Sequence, residues 1–149
     1  MIVLDVNLLL YAYDGRSIPH EQARIWWQSA ISKPELIGLP WQTIYGFLRI
    51  STDTRISGNQ VPMEHALALV EQWMDLPNVR VLTPGERHWG LLRRMLLEGQ
   101  ARGPMATDAQ LAALTIEYGG VLYTTDRDFA RFPGLRWVNP LQKSQNLNS

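Results

Sequence analysis

The chain opens on an unbroken apolar run, Ile2-Val3-Leu4, that closes on Asp5. A run this short and without alternation predicts a strand buried on both faces, as in a parallel sheet. Asn7 is placed to cap a short helix through Tyr13. A second helix is predicted from Pro19 to about Ser32, because Ala23, Trp26, Trp27, Ala30 and Ile31 recur on one helical face. With Leu39 before it, Pro40 at a first helical position opens a third helix to about Ser51 that buries Ile44, Phe47 and Leu48. Residues 53–61, with Gly58-Asn59, read as a loop. Pro62 starts a fourth helix with Met63, Ala66, Leu67, Val70, Trp73 and Met74 on one side.

Val79 to Leu82 is predicted as a strand. Thr83 and Glu86 have capping-box spacing for a fifth helix that stops at Gly99. Gln100 to Pro104 forms a loop, a sixth helix begins at Thr107 or Asp108, and Gly119-Gly120 ends it. Strands at Val121 to Thr124 and Arg136 to Val138 flank a turn from Asp126 to Phe132, and the polar tail from Gln142 frays. Strands alternating with helices define an α/β domain with a mostly parallel sheet, spanning residues 1–140 as one unit with a tail over 141–149. In such sheets ligands bind beyond the carboxyl ends of the strands.

Composition narrows the chemistry. Among 149 residues there is no cysteine, which excludes disulfide scaffolds, thiolate metal sites and cysteine nucleophiles, and makes a reducing cytoplasm the natural home. The apolar runs near the start are far shorter than the about 20 residues a membrane span needs, and no Lys or Arg precedes them as in a secretory signal. A soluble, cytoplasmic protein without a membrane partner is expected. Fourteen basic residues balance fourteen acidic ones, so a polyanion would have to be met by a local patch rather than by bulk charge.

Two strands end in acids, at Asp5 and at Asp126 with Asp128 close behind, and Asp108 stands at the start of the helix leading to the second of them. Each acid alone has an ordinary explanation as a cap or turn residue. Together, on parallel central strands, they converge on one sheet edge. Carboxylates within about 5 Å repel by roughly 3 kcal/mol per pair at an effective dielectric near 20. Such a cluster requires protonation or a cation. Oxygen-only donors suit hard ions, Mg²⁺ or Mn²⁺, that keep part of their water shell and act on phosphorus centres.

Four segments in order, Leu4-Asp5-Val6-Asn7, Gly46-Phe47-Leu48-Arg49-Ile50-Ser51-Thr52, Thr107-Asp108-Ala109-Gln110-Leu111-Ala112-Ala113 and Thr124-Thr125-Asp126-Arg127-Asp128-Phe129, resemble the PIN-domain ribonucleases, particularly the VapC toxins of bacterial toxin–antitoxin pairs. The resemblance implies a three-layer sandwich around a parallel sheet, Mg²⁺-dependent endonucleolytic cleavage of RNA, an antitoxin partner and a homodimer. By position it implies Asp5, Asp108 and Asp126 as catalytic, metal-holding acids, Asp128 as an auxiliary, and Asn7 and Thr124 as orienting groups. The family's further Glu falls at Gln42, where an amide brings no charge.

Arg49, Arg102, Arg127 and Arg131 are candidates for RNA phosphates. Arg49 is preferred because its segment carries the resemblance, and Arg102 because its loop leads toward Asp108. Two other readings stand beside the nuclease: a non-cutting PIN-like RNA- or protein-binding module, suggested by Gln42, and a haloacid-dehalogenase-type phosphohydrolase with Asp5 as nucleophile. The latter wants a second acid where Asn7 stands and a lysine, for which only Lys33 and Lys143 exist. His20, His65 and His88 lack metal-ligand spacing. The six tryptophans are expected mostly in the core, with one of Trp26 and Trp27 edging a partner groove.

Overall fold

A computed structural model describes residues 1–56 and 61–142. Five strands, β1 (Ile2–Leu4), β2 (Ile37–Pro40), β3 (Val79–Leu82), β4 (Val121–Tyr123) and β5 (Trp137–Val138), pair throughout in parallel in the order β3-β2-β1-β4-β5. Six helices, α1 (Val6–Tyr13), α2 (His20–Ile31), α3 (Trp41–Ser51), α4 (Met63–Asp75), α5 (His88–Glu98) and α6 (Met105–Glu117), cover it. Ile2, Leu4, Ile37 and Leu39 point into a core shared with α1 to α4, whereas Val3, Leu82 and Leu122 point into one shared with α5 and α6. The layers are thus helix, sheet, helix, the α/β sandwich the sequence predicts.

The first core closes around aromatic rings. Tyr13 stands 5.4 Å from Trp73 and 6.1 Å from Phe47 between ring centroids, and its hydroxyl accepts from the indole N–H of both Trp27 (3.0 Å) and Trp73 (2.9 Å). Two buried indole donors are satisfied by one acceptor, so four aromatic residues pack without an orphaned N–H.

Several expectations are corrected. Asp5, not Asn7, caps α1, its carboxylate accepting from the Val6 amide at 2.8 Å. Pro40 ends β2 rather than opening a helix: Ile37–Pro40 pairs along its length with β3, and α3 begins at Trp41. Met63 and Leu67 lie exposed on α4, whose inner face is Ala66, Val70 and Trp73. The Thr83 and Glu86 capping box does not form. Glu117 of α6 instead accepts from the Gly85 and Arg87 amides at 2.9 and 3.0 Å, and α5 starts at His88. Helix α6 begins at Met105, ahead of Thr107. At its other end Gly119, at φ 65°, and the Gly120 amide bonded to Thr115 O (3.0 Å) make the expected glycine stop.

Trp41 and Trp89 are exposed, against the expectation of a mostly buried tryptophan set. Trp26 is half-buried, stacked on Tyr123 with 5.6 Å between centroids. The tail prediction begins with Leu141, which packs on the first core; its remainder from 143, like Gly58-Asn59, lies outside the described residues.

Candidate active site

Strand β1 is where the chain's path reverses: β2 and β3 are laid down on one side of it, β4 and β5 on the other. The crevice beyond the carboxyl end of such a strand is the usual ligand position in an open parallel sheet. The register carries Leu4 opposite Tyr123, so Asp5 and Thr124 leave the sheet together, with the Asp5 amide donating to Tyr123 O at 3.1 Å.

Asp5 is buried, 8% exposed, and both its oxygens are committed: one to the Val6 amide, the other to the Thr124 hydroxyl at 2.7 Å. Desolvation raises its pKa, the two hydrogen bonds oppose the rise, and Asp126 adds to it. Thr124, fully buried, also accepts from the Asp126 amide at 3.0 Å. One hydroxyl therefore fixes both acid-bearing segments. Asp126 in turn accepts from the Asp128 amide at 2.9 Å and caps the 3₁₀ turn Arg127–Arg131.

Asp108, in the first turn of α6, completes the group. Its carboxyl is pushed up to about 6, first by desolvation and then by the charges of Asp126, Asp5 and Asp128, with Arg131 partly opposing them. The four acids predicted from sequence are therefore electrostatic neighbours. Among the described residues no three acids or histidines stand close enough together to hold a metal ion as placed. The donors fit a hard divalent cation: they are all oxygens, two are held uphill of their ordinary pKa, and the arginine that faces them offsets only part of the crowding.

Helix α3 is fastened to both halves of this edge. The Thr43 hydroxyl donates to Leu4 O at 2.6 Å, and Gln42 Nε2 donates to Thr107 O at 3.1 Å, the residue before Asp108. Gln42 Oε1 is buried without a partner. Gly46 lets α3 approach α1, since a Cβ there would stand 3.3 Å from Val6. Sequence reasoning had no signal for Thr43, whose role lies in a contact thirty-nine residues away.

Asn7 sits second in α1 and its side chain makes no hydrogen bond among the described residues. Arg131 is the arginine the fold brings to the acids, also contacting the Met105 sulfur. Its signal was its place in the turn after Asp126 and Asp128. Arg102 is exposed in the loop before α6. Arg49 lies two turns along α3 from Gln42, near Asp53, whose carboxyl Arg55 chiefly holds at about 2. A cavity of about 450 Å³ lined by Leu10, Tyr13, Phe47 and Ile50 lies toward the far end of α1 from Asp5 and takes no part in the acid cluster.

A parallel sheet bearing acids at its switch point defines the class, and comparison with known proteins agrees. The PIN domain family model matches residues 2–135. The chain is 40% identical to Ribonuclease VapC33 of Mycobacterium tuberculosis over 143 residues, 96% of this chain and 100% of that protein. It is 33% identical to Ribonuclease VapC37 of the same organism, covering 94% and 97% of the two chains. The solved structure of Mycobacterium tuberculosis VapC20, described as a Sarcin-Ricin loop cleaving toxin, aligns with TM-score 0.66 at 19% identity over 91% of this chain and 99% of that one. VapBC-1 from nontypeable Haemophilus influenzae aligns with TM-score 0.67 at 21% identity over 95% of this chain and 100% of that one.

The chain belongs to the PIN-domain family, in its branch of VapC ribonuclease toxins. The haloacid-dehalogenase alternative falls with that assignment.

Proposed function

We propose that this protein is a divalent-metal-dependent endoribonuclease, the toxin of a toxin–antitoxin pair, with Asp5, Asp108 and Asp126 holding Mg²⁺, or Mn²⁺ in its place, and Asp128 as an auxiliary acid. The observation that carries the reading is the gathering of acids at one sheet edge, Asp5 and Asp126 tied through the Thr124 hydroxyl and Asp108 raised first by desolvation and then by the charges of Asp126, Asp5 and Asp128. A hard dication answers that crowding and supplies Lewis acidity toward water and a phosphodiester. Thr124 and the Val6 amide keep the Asp5 carboxylate in one orientation, so its oxygens need no reordering when the ion arrives. Asn7, two residues on, has an amide available to orient the bound phosphate or its attacking water. Arg131 offers a guanidinium to the anionic substrate, and exposed Arg102 a further phosphate contact.

Partners and place follow from the same reading. The VapBC relatives support an antitoxin as cognate partner, and family analogy supports a homodimer. Among the described residues no helix is long and apolar enough to cross a membrane. With the absence of cysteine this supports a cytoplasmic setting.

RNA incubated with the protein and Mg²⁺ is expected to be cut internally, and excess chelator to stop the cutting. Asp5→Asn should abolish turnover while leaving the circular dichroism spectrum unchanged; an active Asp5→Asn enzyme removes Asp5 from the mechanism. Gln42 favours a second reading, an RNA-binding module that does not cut, because it brings an uncharged amide with a buried unpartnered oxygen toward the acid edge. RNA affinity without cleavage under Mg²⁺ and Mn²⁺ would select that reading.

A further inference from the structure

We propose that Gln42 is the positioning residue for Asp108: its amide ties the first turn of α6 to the turn of α3 that also holds β1, and so fixes where the Asp108 carboxylate meets a hard dication. The inference rests on the metal-dependent reading of the acid edge and assigns a role there to an uncharged side chain.

Asp108 needs support from outside its own side chain. Asp5 is held by the Val6 amide and the Thr124 hydroxyl, and Asp126 accepts from the Asp128 amide. The Asp108 carboxylate makes no hydrogen bond among the described residues, so its place is set by the backbone that carries it. That backbone lies in the first turn of α6, a helix that no side chain caps. The bond from Gln42 Nε2 to Thr107 O, at 3.1 Å, joins this turn to α3.

Chemistry singles out an amide at position 42. Thr107 O is an acceptor, so a carboxylate there would have no proton to give it and would add a fifth negative charge to the edge. An apolar side chain would bring no donor at all. The bond also fixes which way the amide faces, since turning it over would set two oxygens against each other. Gln42 Oε1 is thereby left buried without a partner, an unfavourable state that the donor at the other end of the group explains. Thr43, the next residue, donates to Leu4 O at 2.6 Å from a buried hydroxyl. Leu4 precedes Asp5 as Thr107 precedes Asp108, so two adjacent residues of α3 set the separation of two acid-bearing segments. Side chains that orient ligands in this way tune the affinity of a metal site without touching the ion.

The test uses the full chain and Mn²⁺, whose free ion is counted by electron paramagnetic resonance. Gln42→Met, which keeps the length and drops the donor, should weaken Mn²⁺ affinity about tenfold. That loss should vanish in an Asp108→Asn background and persist in an Asp128→Asn background, a pattern that general loosening of the fold would not produce. At a fixed Mn²⁺ concentration Gln42→Met should lower kcat for RNA about tenfold and leave KM unchanged. In chelator at pH 8, Gln42→Glu should melt below both the parent and Gln42→Met, because its carboxylate faces a carbonyl oxygen and the other acids. Mn²⁺ affinity unchanged in Gln42→Met, a loss undiminished by Asp108→Asn, or a Gln42→Glu protein as stable as the parent overturns the proposal and leaves the metal reading intact. A parent that binds Mn²⁺ in the expected pattern but cuts no RNA sinks the ribonuclease mechanism and leaves Gln42 in its role; a parent that binds no Mn²⁺ sinks both.

Discussion

Asp108 pays for its position in a way that can be measured without substrate. Its carboxyl, held at about 6 against an ordinary 3.8, binds a proton more readily in the folded protein than in the unfolded chain. A group raised in this direction contributes stability that is fully present below the unfolded pKa and is lost as pH climbs through the folded one. At pH 7.5 the metal-free fold therefore bears the whole penalty, and at pH 4 little of it. Because Asp108 is only half-buried, solvent screening trims the penalty to about 1 kcal/mol. Asp108→Asn should accordingly raise the melting temperature of chelator-treated protein at pH 7.5 and leave it nearly unchanged at pH 4. A variant no more stable than the parent at pH 7.5 would mean the four acids do not crowd one another. The acids were legible because each closes a strand or opens a helix. Arg131 was one of four candidate arginines and ranked behind Arg49 and Arg102 in sequence; its nearness to Asp108 is a product of the fold.

At the scale of elements, Glu117 shows why a local pattern can be right about a helix and wrong about its cap. Thr83 and Glu86 have the spacing of a reciprocal cap, yet the orphan amides at Gly85 and Arg87 are taken by a carboxylate some thirty residues away on α6. That bond locks α5 to α6, and Arg87 returns a hydrogen bond to Glu117 O at 2.7 Å. Glu117→Ala removes a charged acceptor from two backbone donors and should cost about 1–3 kcal/mol. Glu117→Gln, which keeps one acceptor oxygen, should cost less. Urea midpoints of the three proteins test the order, and an alanine variant as stable as the parent would leave the cap without energetic weight. The same distance explains β2, which the sequence hid: Ile37–Pro40 is buried at every position and runs straight into α3. Its identity as a strand lies in pairing with β1 and β3, and Asn78 helps seat it, accepting from the Ile37 amide at 2.8 Å and donating to Lys33 O and Glu35 O at 2.9 and 3.1 Å. Repetition of period 3.6 was visible in α2 and α6, while exposed Leu67 shows an apolar residue following that period without joining the core.

For the molecule as a whole, two cores fasten the sheet from both faces and leave its carboxyl edge as the place where favourable packing gives way to like charge. The fold class was readable because it depends on alternation of elements, which sequence records. The strand order was not, because it depends on which edge each crossover returns to. With β1 central, the acid on the first strand and those after the fourth arrive side by side, so the molecule folds against a repulsion that a bound cation would relieve. Stability and metal binding should then be linked: at a free Mg²⁺ concentration about 100 times the dissociation constant, the folded state gains about 2.7 kcal/mol. For a domain of this size that corresponds to a rise of roughly 5–10 °C in melting temperature. The rise should shrink sharply in Asp5→Asn and Asp108→Asn, whose metal-free forms have already lost part of the repulsion, and Glu117→Ala should show it in full from a lower starting point. Scanning calorimetry across a Mg²⁺ series separates these cases. Equal Mg²⁺-induced shifts in the parent and in both asparagine variants would place the ion elsewhere on the protein and detach the acid edge from metal binding.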